Sequence, residues 1–196
     1  MEQKKDRRIR KTRAQLQNGL AKLMKTKSIN EITVKELVDE VDINRSTFYL
    51  HYTDIYNLLE DIENRLMDEI LRVIDSHKNV TDGGLLSIFT DIFTIIDANR
   101  DICSALIGEK GDMAFVQRME DIIASHGVHD LMNQFMLPER PIHYMISFSM
   151  SGCIGMLKEW LSTENSEPPE YMANVAYNTV FHAFKAFYNG YAVCLC

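Results

Sequence analysis

The chain has 196 residues, 46% apolar and 25% charged, a balance that suits one large globular domain or two small ones. Its net charge of −7 argues at first against a nucleic-acid partner, but the charge is divided: residues 1–52 carry 12 Lys+Arg against 7 Asp+Glu, and residues 53–196 carry 9 against 21. That asymmetry describes a basic interaction module joined to an acidic body.

The start of the chain is charged, so no signal peptide is expected. The longest nearly uncharged run, residues 141–157, has 17 residues and falls short of the ~20 that a membrane span requires. The cysteines at 103, 153, 194 and 196 form no CxxC pair and no regular framework. A reducing, cytoplasmic setting follows as the expectation. All four prolines lie at 138 or beyond, which favours long helices before that point.

In chain order, Ile9, Leu16, Leu20, Leu23 and Met24 keep helical spacing over residues 6–26 behind a basic run from Lys4 to Arg13. "TKSIN" breaks this helix. "TVKE", 33–36, has the form of a capping box: Thr33 caps and Glu36 reaches back. Val34, Leu37, Val38 and Val41 give this second helix an apolar face. "VDIN" is a turn in which Asp42 tolerates left-handed geometry. "NRSTFYLH", 44–51, is a third, short helix capped by Asn44. A fourth runs from about 54 to 77 on Ile55, Leu58, Leu59, Ile62, Leu66, Ile70, Val73 and Ile74. Further helical segments lie near 85–97, 99–107, 113–125, 128–136, 140–162 and 169–190, with Gly127 read as a break. No stretch alternates as a strand would, so the expected fold is all-α.

Two helices joined by a tight turn and braced by a long preceding helix make a helix-turn-helix, whose second helix presents its first residues to base edges in the major groove. Phe48 points inward in this reading, against Leu20, Leu37 and Val41. Arg45, Ser46, Thr47 and Tyr49 point outward. Arginine grips guanine bidentately and threonine meets a thymine methyl or a base edge. Tyr49 and His51 stand where a hydroxyl and an imidazole meet phosphates. Thr33, Lys35, Asn44, Arg7 and Arg8 complete the candidate DNA contacts. His51 also complements the carbonyl end of its own helix.

At these residues the resemblance becomes specific. "SINEITVKELVDEVDINRSTFYLHYTDIYNLL", 28–59, resembles the DNA-binding segment of the TetR family of bacterial transcriptional regulators, and the match covers roughly residues 9–60. Two positions depart from the family pattern. Asp42 stands where a glycine is usual, and Ile55 where a phosphate-contacting lysine is common. The later "SMSGCIGMLKEWL", 149–161, is similar to the subgroup that includes regulators of dihydroxyacetone-kinase operons.

The resemblance implies a three-helix DNA-binding domain, residues 1–52, and a larger helical-bundle domain for effector binding and dimerisation, residues 53–196. It implies a homodimer built on the last two helices, on a near-palindromic double-stranded DNA operator, answering to a small-molecule effector. Ser147, Ser151 and Gly155 recur every four residues and let helix backbones approach, and Val175, Thr179, Ala183 and Phe187 lie on the last helix; these are the candidate interface. Phe89, Phe93, Phe115, Met119, Tyr144 and Phe148 are the candidate pocket, and nine of the eleven methionines fall from Met67 onward. Trp160 is expected as a packing anchor.

His126, His129 and Asp130 have metal-ligand types at close spacing but no further partner, so they read as a surface cluster. No cofactor, metal site or membrane contact is expected. No nucleophile–base signature, phosphate loop or zinc motif points to an enzyme. The resemblance makes a dimeric repressor the leading expectation. The reading from a different class is an interaction or scaffold module of the same fold, with weak, unspecific DNA binding, motivated by Asp42 and Ile55.

Overall fold

The computed structural model describes the backbone over residues 2–77, 84–108, 110–135, 139–163 and 167–194, and side chains within those limits over 7–77, 85–108, 110–125, 140–163 and 167–187. Among the described residues the regular structure is helical, with no strand. No described helix is long and apolar enough to cross a membrane. The helices are α1 (Glu2–Met24), α2 (Val34–Glu40), α3 (Arg45–Tyr49), α4 (Ile55–Ser76), α5 (Gly84–Ala98), α6 (Arg100–Ile107), α7 (Met113–Phe135), α8 (Glu139–Ser162) and α9 (Pro169–Cys194). The "TKSIN" break ends in a single 3-10 turn, Ile29–Glu31, in which the Ser28 amide and hydroxyl both donate to Glu31.

Two expectations about breaks need correction. Gly127 does not divide a helix: α7 runs through it without interruption. A mid-helix glycine costs only about 1 kcal/mol relative to alanine, which flanking turns readily offset. The third helix is also shorter than "NRSTFYLH" suggested, because after Tyr49 the chain tightens, with the His51 amide bonded to the Phe48 carbonyl at 2.9 Å. Pro141 does not delay α8, since a proline in the first turn removes an amide that has no helical partner.

The chain forms two compact units. The first comprises Met1–Asp68 and Asn99–Met113. Its centre is Leu16, Leu20, Leu37, Phe48, Leu58 and Ile62, all buried, and α6 packs along α1. Gly19 lets α2 approach α1: a Cβ there would stand 2.3 Å from Val41 Cγ1. The second unit comprises Glu69–Ala98 and Ala114–Cys196. In it α5 lies along α9, with Phe89 edge-on to Tyr177 and Tyr177 stacked on Phe181. Ile142, Ile146 and Phe184 form a core shared by α8 and α9, with Ala124 of α7 packed against it. Trp160 is buried against Phe93, and its indole N–H donates to the Glu167 carbonyl at 2.8 Å, so it is the anchor expected.

Candidate nucleic-acid interface

Local hydrogen bonds fix the turn between α2 and α3. The Thr33 hydroxyl accepts from the Glu36 amide at 3.2 Å, and the Glu36 carboxylate accepts from the Thr33 amide at 3.2 Å. Lys27 donates to the same carboxylate. The Lys27 bond, then the Thr33 donors, hold Glu36 below the usual carboxylate range, and the bond to Glu36 raises Lys27. At the end of α2, Asp42 has φ 52°, the one described non-glycine residue in the left-handed region. The Ile43 amide then reaches back to the Val38 carbonyl at 3.1 Å, closing the helix end. Asn44 next caps α3, accepting from the Ser46 amide at 2.9 Å and the Ser46 hydroxyl at 2.8 Å.

With both ends fixed, α3 presents a definite face. Phe48 is fully buried. Arg45, Ser46 and Tyr49 are exposed, and Thr47 and His51 are half-buried. Tyr49 is 48% exposed, and its hydroxyl accepts from Arg45 Nη2 at 3.1 Å. The candidate contacts are not equally available. Asn44 and Ser46 are committed to each other, and Thr33 to Glu36, whereas Lys35, Arg7 and Arg8 stand exposed. Arg7 and Arg8 are carried on α1 itself, so the basic run is helical from Glu2.

Sequence reasoning missed three features here. Leu50, at 80% exposure, is the most exposed large apolar side chain described. Its signal was its position outside the apolar spacing of the neighbouring helices. Tyr56 is also exposed, and its hydroxyl donates to Asn30 Oδ1 at 3.1 Å. The third is a polar chain through the first unit. Tyr52 donates to Asp61 at 2.7 Å, Arg65 Nε lies 3.3 Å from Asp61, Arg65 Nη2 donates to Gln17 at 3.4 Å, and Gln17 donates to Asn99 at 3.4 Å. Burial, then the bond to Asp61, raises the Tyr52 hydroxyl to about 12. Asp61 and Arg65, four apart inside an apolar helix, were the legible part of this chain. Ile55, in the place of the family's lysine, is buried in the core. The start of α4 is instead capped by Asp54, which accepts from the Asn57 amide at 2.8 Å.

In the second unit the candidate pocket residues separate. Phe93, Phe115 and Met119 are buried and Phe89 is partly buried. Tyr144 and Phe148 are 67% and 75% exposed, on a different side of α8 from its buried residues. The helical period explains this. Ile142, Ile146, Leu157 and Trp160 share the buried side of α8, and Tyr144, Ser147, Phe148, Ser151 and Gly155 share the open side. On α9, Thr179, Ala183 and Phe187 are exposed and Val175 is half-buried. The side chains of His126, His129 and Asp130, and of Cys194 and Cys196, lie outside the described residues. Among the described ones, no cluster of His, Cys, Asp and Glu could hold a metal ion. Cys103 and Cys153 form no disulfide, and burial pushes the Cys153 thiol up.

Comparison with known proteins adds to this geometry. A solved TetR transcriptional regulator from Streptococcus agalactiae 2603V is 23% identical, with a TM-score of 0.58 over 92% of this chain and 99% of that one. The dihydroxyacetone kinase operon activator DhaS is 15% identical, with a TM-score of 0.59 over 89% and 97%. At these identities the likeness is one of fold. An uncharacterized HTH-type transcriptional regulator of Bacillus subtilis (strain 168), YxbF, is 35% identical over 49 residues, which are 25% of this chain and 13% of that relative's length. Residues 84–182, just over half of the chain, match the TetR C-terminal family described as "Transcriptional regulator C-terminal region". With a helix-turn-helix at one end and this region at the other, the chain belongs to the TetR family of transcriptional regulators.

Proposed function

We propose that the protein is a homodimeric, ligand-responsive repressor that binds a near-palindromic operator through α3. The observation that carries this reading is α3 itself. It is five residues long, anchored by one buried phenylalanine and capped at its start, and its remaining side chains are turned to solvent. A helix this short buries little, so its exposed face is its reason for being there. Residues 1–52 are the DNA-binding part and 53–196 the effector-binding and dimerisation part.

The open side of α8, with Tyr144, Ser147, Phe148, Ser151 and Gly155, and the exposed residues of α9 form an isologous two-fold interface. Two α3 helices then sit about one DNA turn apart, roughly 34 Å. Arg7, Arg8 and Lys35 supply phosphate attraction, which dominates affinity and makes it salt-dependent. An effector held among the buried aromatic and methionine side chains of the body shifts α4, and it does so only by its differential affinity for two states. The polar chain from Asn99 to Tyr52 links α6, α1 and α4 to the residue three places beyond α3, and it supports such a coupling.

A second reading has its own observation. Ile55 is buried and Asp54 caps α4, so that helix start offers a phosphate no cation. In this reading the protein is an interaction module with weak, unspecific DNA binding. Selection of bound sequences from a random DNA pool, followed by affinity at two salt concentrations, separates the two. A near-palindromic winner retained at moderate salt supports the regulator. No enrichment, and binding lost as salt rises, leaves only the phosphate contribution and sinks it. DhaS is named an activator, so a reporter assay on the selected site reads the sign of regulation directly.

A further inference from the structure

Arg45 and Tyr49 stand one turn apart on α3 and act on each other twice. Arg45 Nη2 donates to the Tyr49 hydroxyl at 3.1 Å, and the guanidinium carbon lies 5.6 Å from the Tyr49 ring centroid. The ring is held in turn. It meets Phe48 edge-on, with centroids 5.4 Å apart and planes at 88°, and Phe48 is fully buried. Order therefore passes from the core to Phe48, from Phe48 to the Tyr49 ring, and from that ring to an otherwise flexible cation.

We propose that Tyr49 is the positioning residue for Arg45. It holds the guanidinium fork in the orientation that reads one base pair, so that the pair, and not Arg45 alone, sets the preference there. The inference deepens the helix-turn-helix reading above and rests on it. A guanidinium has five N–H donors, and the bond to Tyr49 uses one, leaving enough for a bidentate grip on guanine O6 and N7. A tethered arginine loses less freedom on binding than one that must first be ordered. The ring and the hydroxyl contribute separately: the ring attracts the cation through its face and the hydroxyl fixes its direction. Asn44 and Ser46 are committed to the cap, so no neighbour at the start of α3 duplicates this role.

The alternative role for Tyr49 is a direct contact to phosphate. The two roles separate in one experiment on the full chain. Affinities are measured for the selected operator and for versions with each base pair changed singly, with the unaltered protein, Arg45→Ala, Tyr49→Phe, Tyr49→Leu and the double variant. Tyr49→Phe is expected to relax the preference at the same base pair as Arg45→Ala, by roughly 3- to 10-fold, and to leave the other positions as they were. Tyr49→Leu relaxes it further, and Tyr49→Phe adds nothing once Arg45 is alanine. A uniform loss across all sequences, or additive losses, overturns the proposal in favour of a backbone contact.

Nitrogen NMR of the free protein reads the tether without DNA: the Arg45 guanidinium is ordered and becomes mobile in Tyr49→Phe. An Arg45 already mobile in the unaltered protein overturns the pairing even if sequence-specific binding is found. An unaltered protein that prefers no sequence overturns the DNA reading and this proposal with it.

Discussion

The turn region around α2 and α3 and the open side of α8 are both exposed, yet they are finished differently. Around α3 the polar side chains are committed: Thr33 with Glu36, Lys27 with Glu36, Asn44 with Ser46, and Arg45 with Tyr49. On α8 the exposed side carries Tyr144 and Phe148 among serines, and Gly152 and Gly155 have open space where a Cβ would stand. The first surface is a fixed frame: its caps are closed by local hydrogen bonds, and Arg45 is held on it by Tyr49. The second sets two large exposed rings beside small, unfilled positions, which close packing of another helix requires. The proposed function assigns reading to the first surface and packing to the second.

The largest expected effect breaks the second surface. Phe148→Asp places a charge at the centre of the proposed interface, where an unpaired buried charge is costly. Sedimentation should show monomers at micromolar concentration, with operator affinity reduced at least about 100-fold because two half-sites are no longer held together. A dimer that persists would place the interface elsewhere. Next, Phe48→Ala removes the anchor of α3 and should cost roughly 3–5 kcal/mol of stability by denaturant unfolding, while the dimer survives.

Arg45→Ala should cost about 1–3 kcal/mol of operator binding and leave the melting temperature unchanged. A comparable loss of stability would mean that Arg45 supports the fold and not the reading. A pH test comes next. The Tyr52 hydroxyl is raised from its ordinary 10.0 to about 12, so its contribution is present below pH 10 and is lost as pH climbs from 10 to about 12. Tyr52→Phe should remove that alkaline phase from the stability profile, and a phase that remains belongs to another group. The smallest effect is at the turn. Asp42→Gly relieves a left-handed aspartate but gives back chain entropy on folding, so a gain of a few tenths of a kcal/mol is expected in thermal unfolding. Asp42→Val at the same φ should be clearly destabilising, which separates strain from composition.

Much of the fold was legible because its signals are local. The Thr33–Glu36 box, the Asn44 cap and the left-handed Asp42 each depend on residues within four positions, and each appears as read. The apolar spacing of α4 named Leu58, Ile62, Leu66 and Ile70, and all are buried. The break assigned to Gly127 failed because a glycine weakens a helix without ending it. Tyr144 and Phe148 joined the candidate pocket by residue type. Their position along α8, read with the burial of Ile142 and Ile146, turns them outward.

The sequence by itself determined the helices, their caps, the helix-turn-helix and the division of charge, because these follow from period, hydrogen-bonding reach and composition over a few turns. Only the tertiary structure decided which distant residues meet. Gln17 bonds Asn99 across 82 positions, α6 packs on α1, and Gly19 makes room for Val41. Periodicity tells which side of a helix is apolar. It does not tell which other apolar side will cover it, because that choice is made by packing volume and shape between elements far apart in the chain.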